Sequence, residues 1–120
     1  MNPSAPAPVT VAGRTLDHPD RERIRLDQVL QALADPLRLS VLRRLAAAGP
    51  GAELSCSDFD LPVSKSTSTH HFRVLREAGL IAQTYRGTAK MNALRGADLE
   101  QLFPGLLDAV LSAAARERAR

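Results

Sequence analysis

Aromatic residues are nearly absent from this chain, which has three phenylalanines, one tyrosine and no tryptophan in 120 residues. Function therefore does not depend on aromatic stacking. Eighteen leucines point instead to aliphatic helix faces packed together, a mainly α protein with little sheet. Cysteine is scarcer still. With Cys56 alone there is no intramolecular disulfide, no four-cysteine zinc site and no CxxC redox pair, and a reducing cytosol fits. No apolar run approaches a membrane span, and the opening "MNPSAPAPVTVAG" lacks the basic start and hydrophobic stretch of a secretory signal. The expectation is a soluble, cytoplasmic protein without a membrane partner. A chain of this length accommodates one compact domain.

Acidic residues are missing from one region in particular. The formal charge is only +3, yet between Ser64 and Arg95 six basic residues (Lys65, Arg73, Arg76, Arg86, Lys90 and Arg95) stand against Glu77 alone. A local excess of this kind suggests a polyanion held at one surface, since phosphate affinity comes largely from released counterions. The competing reading is a solvated charged face.

Residues 1–18 carry three prolines and almost no large apolar side chains before position 19, so they read as a mobile arm ahead of a domain spanning 19–120. In that domain Leu26, Val29, Leu30 and Leu33 recur at helical spacing, and "DRER" supplies the first turns of a helix running to about Ala34. Asp35 and Pro36 then suit the N-cap and first position of a second helix that ends at Gly49. A brief helix is expected around Cys56 to Phe59, stopped by Pro62. Ser64 caps the next helix, which Gly79 ends. "LIAQTYRG", "TA" and "KMNALR" read as a short hairpin with Arg86, Thr88 and Lys90 at its tip. Through "LEQLFPGLLDAVLSAAA" a broad stripe containing Leu102, Leu106, Leu107 and Val110 follows, with Pro104 as a kink or restart. So wide a stripe calls for a partner helix.

The stretch "SKSTSTHHFRVLREAGL", 64–80, carries the chemistry. At 3.6 residues per turn His71, Phe72, Leu75 and Ala78 share one face with Ser68, while Ser66, Thr69, His70, Arg73 and Glu77 share the opposite one. The adjacent histidines point apart. They cannot chelate as an i, i+4 pair does, and Cys56 lacks the glycine elbow or orienting residue of a nucleophile, so no enzymatic activity is expected. His71 reads as a hydrogen-bonded core residue. His70, Thr69, Ser66 and Arg73, with Lys65 at the helix mouth, form a face that can donate to phosphates or read base edges, and the helix N-terminus capped by Ser64 adds free amides. A short helix, a turn, a polar-faced helix and a basic-tipped hairpin follow the order of a winged helix-turn-helix. In that order the basic window forms one continuous DNA surface.

"ALADPLRLSVLRRL", "SKSTSTHHFRVLREAGLI" and "RGTAKMNALR" together resemble the ArsR/SmtB family of winged-helix transcriptional regulators over roughly residues 26–112. The resemblance implies five or so helices with a two-stranded β-hairpin wing. It places Lys65, Ser66, Thr67, Thr69, His70 and Arg73 on the recognition helix, and Arg86, Thr88 and Lys90 on the wing. It also implies a homodimer through the first and last helices, with Leu26, Val29, Leu30, Leu102, Leu106, Leu107 and Val110 at the interface. Two recognition helices would then meet an inverted-repeat operator in double-stranded DNA.

Departures from the family pattern bear on what the protein senses. Where arsenic-type members resemble "ELCVCDL" this chain has "ELSCSDF", with Ser55 and Ser57 in place of both thiolates. Asp98 and Glu100 match the first half of the zinc-type site, but Leu111 and Ala114 occupy the second. The remaining donors, His18 with Asp17 and Asp20 in the arm and Asp98, Glu100 and Asp108 near the C-terminus, would suit nickel, cobalt or zinc better than a soft metal. Ordinary surface carboxylates and a solvated histidine are the other reading. Expected overall is a DNA-binding regulator, usually a repressor in this family, answering to a metal such as nickel or zinc, a small effector or a companion protein. The alternatives are a winged-helix protein-interaction module and a metal-independent regulator without its own effector site.

Overall fold

The computed structural model describes residues 14–120. A two-residue strand β1 (Arg14–Thr15) and one 3-10 turn (Arg21–Arg23) lead into helices α1 (Leu26–Leu33) and α2 (Pro36–Ala47). Strand β2 (Leu54–Ser55) and the single turn α3 (Cys56–Phe59) come next, then α4 (Lys65–Ala78), the hairpin β3 (Ile81–Arg86) and β4 (Ala89–Leu94), and finally α5 (Gly96–Leu102) and α6 (Leu106–Ala119).

Local chemistry explains most boundaries. Asp35 caps α2 by accepting from the backbone N–H of Leu37 at 2.9 Å and of Arg38 at 3.1 Å, with Pro36 at the first helical position. Ser55 and Asp58 form a reciprocal capping box around α3. Gly79 ends α4 at φ +90°, and a Cβ there would lie 2.5 Å from the Ile24 side chain, so both backbone and packing require glycine. Phe103, Pro104 and Gly105 separate α5 from α6, with Gly105 at φ +81°.

Three expectations change. "DRER" does not open α1, because Ile24 is extended and buried in the core, which interrupts the helical path. The wing is more than a hairpin: the strands lie in the order β1, β3, β4, β2, all antiparallel, so each hairpin edge gains a short partner. Arg14 and Thr15 of the expected arm belong to this sheet, opposite Tyr85 and Thr84, and Leu16 and His18 bond to the Gln83 backbone beside it, while residues 1–13 lie outside the described residues.

The core gathers Val29, Ala32 and Leu33 of α1, Val41, Leu42 and Leu45 of α2, Phe72, Leu75 and Ala78 of α4, and Leu80, Ile81 and Leu99. Phe59 meets Phe72 with ring centroids 5.4 Å apart. Val29, expected at a dimer interface, is 1% exposed and so is covered within its own chain. Leu102, Leu106, Leu107 and Val110 are half-buried against the same core, whereas Leu26 and Leu30 of α1 are 45% and 46% exposed. Among the described residues no helix is long and apolar enough to cross a membrane.

Candidate nucleic-acid interface

Helix α4 divides by face. His71, Phe72, Leu75 and Ala78 are buried, while Ser64, Lys65, Ser66, Thr67, Thr69, His70, Arg73 and Glu77 are exposed. The inner face anchors the helix through apolar burial, leaving the outer face free of packing duties. At the helix mouth the Ser64 Oγ accepts from the Thr67 backbone N–H at 3.2 Å and lies 3.0 Å from the Thr67 hydroxyl. Farther along, the Arg73 guanidinium lies 3.4 Å from the His70 Nδ1. Hydroxyl, imidazole and guanidinium groups therefore line one solvent-facing strip about three turns long.

His71 does the opposite work. Arg38 donates to its Nδ1 at 3.2 Å, and because a guanidinium has no acceptor, that nitrogen must be the accepting one. Arg38 also donates to the carbonyls of Ala32 at 2.8 Å and Gln31 at 3.4 Å, so His71 helps hold α4 against the junction of α1 and α2.

The hairpin turns at Gly87, whose φ of +65° suits the tight reversal, with Thr88 beside it and exposed. Lys90 Nζ stands 5.6 Å from the centroid of the Tyr85 ring. Arg86 is held differently: its Nε and Nη2 donate to both carboxylate oxygens of Glu53 at 2.8 and 2.9 Å. This pairing keeps the Glu53 carboxyl below the usual carboxylate range, the Arg86 hydrogen bond being the largest cause.

The helix-turn-helix domain family matches residues 33–84, the span from the end of α1 through α4 into β3. The chain is 36% identical over 83 residues to an uncharacterized HTH-type transcriptional regulator of Bacillus subtilis strain 168, YceK, a match covering 68% of this chain and 81% of that one. Among solved structures, an ArsR-like transcriptional regulator from Rhodococcus sp. RHA1 superposes with a TM-score of 0.54 at 27% identity, over 78% of this chain and 87% of the other. The transcriptional repressor BigR of Xylella fastidiosa has the same fold, with a TM-score of 0.56 at 21% identity over 73% and 84% of the two chains. The chain belongs to the ArsR family of transcriptional regulators. It is a DNA-binding helix-turn-helix protein with a wing.

Three of the six basic side chains counted in this ArsR-family regulator's 64–95 window are engaged within the fold. Arg76 donates to Gln83 Oε1 at 2.7 Å, Arg86 grips Glu53, and Arg95 donates to Asp98 Oδ2 at 2.9 and 3.1 Å and to the Pro19 carbonyl at 2.8 Å. Lys65, Arg73 and Lys90 remain on α4 and the wing. The basic window is thus two patches on one framework, because two carboxylates, one amide and the Pro19 carbonyl claim the other three. Sequence reasoning missed Glu53 as the Arg86 partner, and it missed Gln83 and Asn92, both fully buried. Alternation along "IAQTYR" carried a signal for Gln83, which falls on the same inward side as Ile81.

The nitrogen and oxygen donors expected to suit nickel or zinc hold no common centre. His18 Nε2 accepts the Gln83 backbone N–H at 2.8 Å, anchoring the segment after β1 to the sheet. Asp98 takes the Arg95 guanidinium, and Glu100 Oε1 accepts the Gly105 backbone N–H at 3.1 Å across the break between α5 and α6. Among the described residues no three His, Cys, Asp or Glu side chains cluster at metal-holding distance. Ser55 and Ser57, standing where thiolates would be, lie 3.0 Å apart at the start of α3, where Ser55 serves as its cap. His18, Asp98 and Glu100 thus each have a structural partner within the chain.

Proposed function

We propose that this ArsR-family regulator is a dimeric repressor that lays the outer face of α4 in the major groove of an inverted-repeat operator. The single observation that carries the reading is the division of α4. From Ser64 to Arg73 its exposed side chains are all hydrogen-bonding or cationic, while His71, Phe72 and Leu75 lock the other face to the core. Ser66, Thr69, His70 and Arg73 reach base edges, Arg73 in the bidentate manner that favours guanine, and Ser64, Thr67 and Lys65 meet phosphate at the helix mouth. Thr88 and Lys90 at the wing meet the backbone alongside. Arg86 joins them only when Glu53 releases it.

Two chains are needed to present two such helices. The exposed Leu26 and Leu30 and the half-buried Leu102, Leu106, Leu107 and Val110 supply the apolar surface for a two-fold partner. The repressor role follows the Xylella relative, which is a transcriptional repressor. Signal reception in this reading does not pass through a metal on His18, Asp98 and Glu100. A companion protein or small effector takes that place.

Selection of bound duplexes from random sequence, followed by titration of the enriched site, tests the proposal. The expected result is an inverted repeat bound by two chains with affinity on the order of nanomolar. Lys65→Ala with Arg73→Ala should weaken that binding by about a hundredfold and lower the salt dependence of log K by about two. Unchanged affinity and salt slope in the double variant would refute the assignment.

A further inference from the structure

Two side-chain amides lie at the centre of the sheet with no exposure at all. Gln83 on β3 and Asn92 on β4 are directly opposite one another, and both are 0% exposed. They belong to one chain of hydrogen bonds that begins on the recognition helix. Arg76, one turn after Arg73 on α4, donates to Gln83 Oε1 at 2.7 Å. Gln83 Nε2 donates to Asn92 Oδ1 at 2.8 Å, and Asn92 Nδ2 donates to the Leu54 carbonyl on β2 at 3.1 Å and to Cys56 Sγ on α3 at 3.3 Å. The run therefore crosses α4, β3, β4 and β2 in turn.

The ends of this run dictate its direction. A guanidinium can only donate and a backbone carbonyl can only accept, so each amide has one orientation that satisfies its neighbours and the reversed one would set like groups together. Stability alone does not call for such an arrangement. Replacing both members of a buried hydrogen-bonded pair with apolar groups of similar shape is often neutral or stabilising, whereas loss of one member strands the other. A directional bond adds what apolar contact lacks, a defined angle between the elements it joins.

We infer that Gln83 and Asn92 are positioning residues for DNA binding: through Arg76 they set the wing relative to the recognition helix so that both grip one duplex. The inference rests on the DNA-binding reading of α4 and the wing given above. An apolar replacement leaves the core filled but lets the hairpin pivot against α4. The wing then no longer delivers Lys90 to the phosphate backbone while α4 sits in the groove.

The test is a double-mutant cycle on operator binding with the full chain, read as affinity and salt slope. In the native background Lys90→Ala should reduce the salt slope of log K by about one, together with a measurable loss of affinity. Gln83→Met with Asn92→Leu takes the acceptor from Arg76 and should lower the melting temperature by a few degrees without unfolding the protein, while weakening operator binding by about tenfold. In that background Lys90→Ala should have no further effect, while Arg73→Ala should cost what it costs natively. Should the double variant fail to fold, Arg76→Met decides the matter, since Arg76 is only part-buried and its loss cuts the link between α4 and the amides. It too should silence Lys90→Ala. Equal cost of Lys90→Ala in native and altered backgrounds, or no cost in the native one, overturns the inference. A silent Arg73→Ala in the native protein would instead overturn the DNA-binding reading itself.

Discussion

Helix α4 and the hairpin that follows it are both rich in polar residues, yet they place them in opposite ways. On α4 the hydroxyls, His70 and Arg73 face solvent and touch mainly one another, while the buried side is apolar apart from His71. In the hairpin Gln83 and Asn92 face inward and are fully covered, and Arg86 near the tip is clasped by Glu53. One element presents its polarity and the other uses its polarity to stay in place. A count of positive charge along the chain cannot distinguish the two, because Arg73 and Arg76 contribute equally to it although one is outward and the other is bonded to Gln83.

The comparison is sharpest on α4 itself. Phe72→Ala removes a ring that is 2% exposed and packed on Phe59, and should destabilise the fold by about 3–5 kcal/mol in denaturant unfolding. Thr69→Ala on the outer face should change stability by less than about 0.5 kcal/mol while weakening discrimination between operator and random duplex by about 1 kcal/mol or more. Equal stability losses at the two positions would erase the division of faces.

A smaller effect probes the wing. Glu53→Gln removes the charge that holds Arg86, so duplex affinity should rise by about two- to fivefold and the salt slope should steepen by about one as Arg86 becomes available to phosphate. Unchanged binding would mean that Arg86 stays directed away from DNA even when freed.

The smallest effect concerns the sheet edge. Burial of the His18 ring lowers its affinity for a proton below the ordinary 6.5, with Arg95 and Arg76 adding to the effect and the Leu16 backbone and Asp17 opposing it. The unfolded chain therefore binds the proton more readily than the folded one. The His18 contribution is complete above about pH 6.5 and declines as the pH falls below that value. Melting temperatures measured from about pH 7.5 down to about pH 5.5 should fall, and His18→Gln, which keeps an acceptor for the Gln83 N–H, should make that fall shallower. An unaltered profile in the variant would remove His18 as the titrating anchor.

Much of the fold was legible because its signals are local. Asp35 with Pro36, Ser64 and Gly79 mark helix ends through caps that need only a few neighbouring residues, and α2, α3 and α4 lie where those signals place them. The outward face of α4 followed from helical period alone. Features made by contacts remote in sequence were not legible. The pairing of Arg14 with Tyr85, the grip of Glu53 on Arg86 and the claim of the Pro19 carbonyl on Arg95 depend on the finished fold. The cover over Val29 was hidden for a related reason: periodicity identifies an apolar face but not that the same chain buries it.

The central claim, that this protein meets DNA with the outer face of α4 and the tip of the wing, is tested most directly by mapping backbone amide shifts as the full-length protein is titrated with its selected operator duplex. Shifts concentrated at Ser64 to Arg73 and at Arg86 to Lys90, with α6 little changed, are the predicted result. Shifts gathered on α5 and α6, with Thr69, His70 and Arg73 unaffected at saturation, would contradict it.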